Sequence, residues 1–289
     1  MNKPEAILKN TAALGEGPVW DSKNSVLYFV DIDGCKLCAY DYTNGGYSEF
    51  SAPGRVGAAA MCETPGKFIC GIENNIYIFE NGAFTPFIEN IYDTAGYIRF
   101  NDGKCDKSGR FYIGSMDFAG KKGCLYAINK DKETAVCEVN IACSNGIAFS
   151  RDDKYMYYID TPTGFLWRYD YDAATGNIEN KTAFIDYREE KGSFDGMTID
   201  KNGDLWVALW GGFAVNRYDS VNGEKLGVVE LPAPNVTSCE FGGENMGILF
   251  ITTYGGADEN MKKEYPLSGS LFAVEIDGAA GLECNKFAL

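Results

Sequence analysis

Val26-Leu27-Tyr28-Phe29-Val30-Asp31 is a short run of β-branched and aromatic residues behind the turn-forming Asp21-Ser22-Lys23-Asn24, and the phrase returns along the whole chain. Its later versions are Lys67-Phe68-Ile69-Cys70, Arg110-Phe111-Tyr112-Ile113-Gly114, Tyr155-Met156-Tyr157-Tyr158-Ile159-Asp160, Asp204-Leu205-Trp206-Val207-Ala208 and Ile248-Leu249-Phe250-Ile251-Thr252. Such residues suit a pleated strand, and turn formers such as Asp106-Lys107-Ser108-Gly109 or Asp200-Lys201-Asn202-Gly203 mark the hairpin loops before them. A second strand-like run comes after it, as in Asn75-Ile76-Tyr77-Ile78-Phe79 and Phe165-Leu166-Trp167-Arg168-Tyr169-Asp170. Helical periodicity is hard to find, so the chain reads as all-β. Several strands repeated every ~40 to 50 residues are the mark of a propeller blade, and six such periods fill the sequence. A β-solenoid would show a shorter period, and a sandwich no phase-locked repeat. The expectation is a six-bladed β-propeller occupying residues 1–289 as one domain, with Glu5-Ala6-Ile7-Leu8-Lys9 closing the ring against the C-terminal blade.

Another segment precedes the aromatic strand of each repeat. It reads Gly15-Glu16-Gly17-Pro18-Val19-Trp20, Gly57-Ala58-Ala59-Ala60-Met61, Arg99-Phe100-Asn101-Asp102-Gly103, Ser144-Asn145-Gly146-Ile147-Ala148-Phe149, Phe194-Asp195-Gly196-Met197-Thr198-Ile199 and Thr237-Ser238-Cys239-Glu240-Phe241. Hairpin order makes it the innermost strand of each blade, lining the central channel. Glu16, Asn101, Asn145 and Asp195 then share one phase in four blades, and the rotation of the propeller brings them round one mouth of the channel. Two carboxylates and amide oxygens make a hard-oxygen site suited to Ca²⁺, Mg²⁺ or Mn²⁺, with Zn²⁺ admitted by its affinity for carboxylate. Without a cation the converging acids would repel one another. Asx-Gly pairs also start strands out of turns for purely local reasons, but local reasons do not put four polar residues in phase. The glycine after the polar residue is expected to let backbone and ligand approach closely.

Composition narrows the function. With 41 Asp and Glu against 26 Lys and Arg the chain carries a net charge of -15, which repels phosphate backbones and anionic lipid, so neither nucleic acid nor membrane is expected as a partner. Met1 to Gly15 lacks the pattern of a leader, and no apolar run nears the ~20 residues that span a bilayer; the expectation is a cytoplasmic protein. A chain of 289 residues can bury about three quarters of its unfolded surface without staples, so the ten cysteines read mostly as reduced core residues. Cys35-Lys36-Leu37-Cys38 begins a strand pattern rather than the helix that a redox motif requires. There is no histidine, which excludes Ser-His-Asp and Cys-His nucleophiles and imidazole metal ligands. Trp206 reads as packing between blades, as do Tyr28, Tyr112, Tyr157 and Tyr158, while Trp210 with Gly211-Gly212 is a candidate pocket wall.

Taken in order, Leu14-Gly15-Glu16-Gly17-Pro18, Arg99-Phe100-Asn101-Asp102-Gly103-Lys104, Ser144-Asn145-Gly146-Ile147-Ala148, Asp195-Gly196-Met197 and Pro234-Asn235-Val236-Thr237-Ser238-Cys239 resemble the family of senescence marker protein 30 (regucalcin), gluconolactonase and related sugar lactonases. The resemblance covers almost the full length. It implies a six-bladed propeller with one divalent metal held by Glu16, Asn145 and Asp195, and Arg99 and Asn101 as the residues that hold the substrate's hydroxyl and carbonyl oxygens. An acidic substrate contact of several members falls here on Ala119, with Asp117 nearby, so that contact is either missing, with a different substrate, or shifted to Asp117. The expected chemistry is opening of a sugar lactone: the metal polarises the carbonyl and Asp195 takes a proton from the attacking water. Arg99, the one basic residue among the six inner segments, offers planar donors to a polyol or a developing carboxylate. Two alternatives stay open at this stage, phosphotriester or fluorophosphate hydrolysis at a similar site, and a non-catalytic calcium-binding or docking propeller. The identity of the lactone, the metal and the oligomeric state are not readable from the sequence. Specificity is expected in loops such as Ala52-Pro53-Gly54-Arg55, Asp160-Thr161-Pro162-Thr163-Gly164 and Tyr254-Gly255-Gly256.

Overall fold

Each repeat folds as a four-stranded antiparallel meander, and six of these sheets stand round a channel in a computed structural model that describes residues 3–92, 98–117, 119–256 and 259–289. The innermost strands are Gly15–Asp21, Val56–Met61, Arg99–Cys105, Ser144–Phe149, Ser193–Ile199 and Val236–Gly242, one from each segment assigned to the channel by hairpin order. Neighbouring inner strands touch all the way round the ring. Glu5–Leu8 forms the outer strand of the last blade, pairing antiparallel with Leu271–Glu275, so the two ends of the chain close the propeller as expected.

The core lies between blades. Tyr28 packs on Phe68 at 4.4 Å between ring centroids, Tyr112 on Phe149 at 5.2 Å and Trp206 edge-on to Phe241 at 5.4 Å, each pair spanning two sheets. Burying an aromatic side chain of this kind contributes roughly 1.5–3 kcal/mol, provided its polar atom finds a partner. Tyr112 donates its hydroxyl to Gly176 O at 2.6 Å and Tyr157 to Ser220 O at 2.9 Å, both on the next blade. The ten cysteines are unpaired thiols. Cys38 lies buried on the strand Lys36–Asp41, its sulfur accepting a hydrogen bond from the Tyr47 hydroxyl, and burial pushes the thiol up to about 12, so the Cys35/Cys38 pair lacks the helix and the thiolate of a redox centre.

All six inner strands carry a register shift at the same level, between Glu16 and Val19, Val56 and Ala58, Phe100 and Gly103, Asn145 and Ile147, Phe194 and Met197, and Val236 and Ser238. A bulge re-aims a side chain and sharpens the local twist. Two glycines at this level, Gly146 and Gly196, have a different role from the one expected, whereas a Cβ on Gly17 would meet nothing within 4 Å. A Cβ on Gly146 would stand 2.8 Å from Asp195 O, and one on Gly196 would stand 2.3 Å from Ser238 Oγ. They let adjacent inner strands approach one another, not a ligand. Replacing Gly196 by alanine is therefore expected to cost about 1–3 kcal/mol through overpacking, measured as a lower urea midpoint with unchanged m-value.

After its last strand the chain runs across the far ends of the blades. Gly281 bridges to Asp200, Phe287 runs parallel to Cys62, and Ala288 N donates to Gly109 O at 3.1 Å. Between this tail and the polar mouth lies a cavity of about 310 Å³ lined by Asp102, Lys104, Thr198, Glu240 and Cys284. No helix among the described residues is long and apolar enough to cross a membrane.

Candidate functional site

Four inner strands deliver polar side chains to one mouth of the channel, and the repeated aspartate that ends the aromatic phrase helps to place them. Asp31 accepts backbone N–H groups from Ala13 and Leu14, just before Glu16. Asp160 does the same for Ala142 and Cys143, just before Asn145. Glu16, Asn101, Asn145 and Asp195 all come to rest 5–7 % exposed.

The amides form a directed chain across three blades. Arg99 Nη1 donates to Asn101 Oδ1 at 2.6 Å, and Asn101 Nδ2 donates to Ser144 O at 2.7 Å and to Asn145 Oδ1 at 2.8 Å. Asn145 Nδ2 in turn donates to Thr161 Oγ1 at 2.7 Å, and the Thr161 hydroxyl donates to Phe194 O at 2.9 Å, the carbonyl just before Asp195. Both N–H groups of the Asn101 amide are used on protein acceptors, which leaves a second lone pair on its Oδ1 for a ligand.

The carboxylates are less well served. Glu16 Oε2 accepts the Gly17 N–H at 2.9 Å, and no ion pair reaches Glu16 or Asp195 among the described residues. Burial, then the neighbouring Asp102 carboxylate, pushes Glu16 up to about 8, against the Gly17 amide and Arg99. Asp195 is raised well above the ordinary carboxylate range by burial first, then by Glu16 and Asp102. Asp102 is itself pushed up to about 6 by burial, with Lys104 opposing. Buried charge is tolerated only when paired or bound to metal, and three electrostatically interacting acids, with Arg99 acting on Glu16 and Asp195 and Lys104 on Asp102, leave negative charge in excess. Oxygen donors with excess negative charge fit a hard divalent cation. No group of three or more Cys, Asp or Glu side chains has metal-holding spacing among the described residues.

Several residues stand differently from their sequence reading. Arg99 is not the one basic residue on the inner strands: Lys104, five positions later, points into the channel, where its Nζ lies 3.2 Å from Glu240 Oε2 and from Met197 O. Glu240 also accepts the Thr198 hydroxyl at 2.7 Å, so the pair forms a network below the mouth, with Lys104 also acting on Asp102. Ala119 is exposed, and Asp117 spends its carboxylate on the Gly120 and Lys122 amides of its own turn. Trp206 is buried between blades and donates Nε1 to Asp200, whereas Trp210 is 37 % exposed at the mouth and leans on Tyr254 at 5.0 Å. Cys143 and Thr161 also belong to the site; Thr161 lies in a loop where specificity is expected, but no sequence signal singles out either residue. Cys143 Sγ lies 3.7 Å from Asn145 Nδ2, a buried sulfur that burial keeps as the thiol.

Fold and site together define a six-bladed β-propeller with a buried acid-and-amide cluster in one mouth of its channel. The family model described as SMP-30/gluconolactonase/LRE-like region matches residues 14–255, and the chain belongs to that family. A Bacillus subtilis protein named "Putative sugar lactone lactonase YvrE" is 35 % identical over 273 residues, covering 92 % of this chain and 92 % of that protein. Regucalcin of Xenopus laevis is 32 % identical over 296 residues, covering 99 % and 98 %. The crystal structure of a calcium-binding protein, regucalcin, from Agrobacterium tumefaciens superposes with a TM-score of 0.93 at 26 % identity, covering 100 % of this chain and 98 % of that one.

Proposed function

We propose that this protein is a metal-dependent lactonase that hydrolyses a sugar (aldono-) lactone at the channel mouth. The observation that carries the reading is the pair of buried carboxylates, Glu16 and Asp195, with no cationic side chain bonded to either among the described residues, at the same channel mouth as the Asn145 amide, whose Oδ1 accepts one hydrogen bond, from Asn101, and keeps a lone pair. The sugar lactone named for the Bacillus relative and the calcium named for the Agrobacterium structure agree with it. Glu16, Asn145 and Asp195 would hold one divalent ion, Ca²⁺, Zn²⁺, Mn²⁺ or Mg²⁺, which in that place supplies Lewis acidity to the lactone carbonyl.

The chain's own residues do the rest. Asp195 accepts a proton from the attacking water, and returns it to the ring oxygen as the acyl C–O bond breaks, giving the hydroxy acid. A carboxylate suffices as the base in a chain without histidine. The Arg99 guanidinium, buried and anchored on Asn101 and on Phe100 O, orients substrate oxygens and meets the carboxylate that develops. Asn101 contributes its remaining Oδ1 lone pair to a substrate hydroxyl. Trp210, exposed beside the strand that bears Asp195, supplies an apolar face for the sugar ring. We further place the protein, as a single domain, in a reducing compartment such as the cytoplasm, which suits its ten unpaired thiols.

The deciding experiment is hydrolysis of a panel of five- and six-membered aldonolactones, followed with a pH indicator, using protein stripped of metal and then resupplied with each ion. Turnover is expected only after resupply. Phosphotriester cleavage without lactone cleavage would overturn the substrate class, and ion binding with no turnover of either would leave a binding propeller.

A further inference from the structure

We infer that Thr161 is a positioning residue that sets the direction of the amide chain and thereby turns Asn145 Oδ1 toward the candidate ion site; the inference rests on the reading of Asn145 as a ligand. An asparagine amide can sit either way round in its pocket, and only its partners decide which end is oxygen. The chain here is fixed at both ends by groups of a single polarity. Arg99 can only donate, so Asn101 must meet it with Oδ1. Phe194 O can only accept, so the one hydroxyl proton of Thr161 goes to it, and Thr161 Oγ1 is left as an acceptor for Asn145 Nδ2. Were Asn145 reversed, its oxygen would face the Thr161 oxygen and its NH₂ would face both the Asn101 NH₂ and the ion.

Thr161 is well placed for this. It follows the strand Tyr155–Asp160 and opens the 3₁₀ turn Thr161–Thr163, with Pro162 fixing the backbone and Gly164 ending the turn at φ 71°. Its N–H donates to Cys143 O at 3.1 Å, two residues before Asn145, and Gly164 N donates back to Thr161 O at 3.1 Å. Thr163 adds a second clamp, donating to Asp160 O at 2.7 Å and accepting Trp167 Nε1 at 3.1 Å. The residues after the corresponding strands of the other blades are Ile32, Glu73, Asp117, Gly211 and Tyr254, so the small hydroxyl occurs only in the blade that carries Asn145. Through Phe194 O the same hydroxyl ties that blade to the strand bearing Asp195. A loop expected to read the substrate thus holds two of the proposed ligands in register.

The test is calcium and zinc binding by isothermal titration to metal-stripped wild type, Thr161→Val, Thr161→Ser and Asn145→Ala, with thermal unfolding of the metal-free forms to establish that each is folded. Thr161→Val keeps the shape and removes both hydrogen bonds, and is expected to weaken ion binding about 10- to 100-fold, the usual cost of losing a group that orients a ligand. Thr161→Ser keeps the hydroxyl and is expected to bind within a few-fold of wild type. Thr161→Ala repeats the test if valine unfolds the loop. Wild-type affinity in Thr161→Val or Thr161→Ala when Asn145→Ala has lost binding would overturn the role of Thr161 alone, as would a serine variant as weak as the valine one. Undiminished binding by Asn145→Ala would overturn the ligand assignment and this inference with it.

Discussion

Replacing Asp195 by asparagine is expected to cut lactone turnover by about 10²- to 10⁴-fold, the range that separates a positioned general base from none, and to weaken ion binding at the same time. Asparagine keeps the size and one oxygen, and the contact with Gly146 is made by the Asp195 backbone carbonyl, so the packing there is unchanged. What it removes is a charge that the fold does not neutralise. Asp195 is held well above the ordinary carboxylate range by burial, Glu16 and Asp102, which means that ionising it in the metal-free protein is unfavourable. The same substitution is therefore expected to raise the unfolding temperature of the stripped protein at neutral pH. Loss of activity together with a gain of metal-free stability is the signature of a residue whose charge serves function at the expense of the fold. Initial rates, ion titration and thermal unfolding on one preparation read all three. If Asp195→Asn bound the ion and turned over lactone as the wild type does, Asp195 would be neither ligand nor base.

The architecture is legible because a propeller writes itself in period. The phrase ending in Asp31 and again in Asp160 marks the second strand of its blade, and counting back one hairpin finds the inner strand; that count alone puts Glu16, Asn101, Asn145 and Asp195 at one mouth. The repeat does not say what its glycines are for. Gly146 and Gly196 look like room for a ligand, but the atoms that exclude a side chain there belong to the next blade, Asp195 O and Ser238 Oγ, and an inter-blade distance is not written in either segment. Thr161 is hidden for a related reason. Its sequence setting, Asp160-Thr161-Pro162-Thr163-Gly164, is that of an ordinary turn, and its importance lies in two partners, Asn145 and Phe194, that sit on different sheets. Cys143 reads, with the other cysteines, as a small core residue. It is one, but the core at that point is the floor beneath the amides. Lys104 escapes a strand-by-strand reading because regular alternation does not survive the bulge between Phe100 and Gly103, which re-aims the side chains beyond it.

The metal-free protein is expected to lose stability as pH rises from about 5 to 8, with a bound ion reversing the trend. Burial first, and Asp102 second, move Glu16 from 4.5 to about 8, and Asp195 is raised with it. A carboxyl that holds its proton more tightly when folded than when unfolded lends stability that is full below its unfolded pKa and lost as pH climbs through the folded one. For Glu16 that window runs from 4.5 to about 8, opposite to the acid denaturation of salt-bridged carboxylates. Shifted this far, one carboxyl would lower the unfolding temperature of a chain of this size by on the order of 5–10 °C across the window. An ion takes the place of the protons, so its affinity grows with pH and the stabilisation it confers grows too. Thermal unfolding from pH 5 to 9, in chelator and in excess calcium or zinc, should give two curves that diverge with rising pH. Glu16→Gln should make the chelator curve less steep, since glutamine has no proton to lose while Asp195 keeps its own. A stripped protein equally stable at both ends of the window would show that the carboxylates are already compensated, and would remove the physical reason for a cation at this mouth.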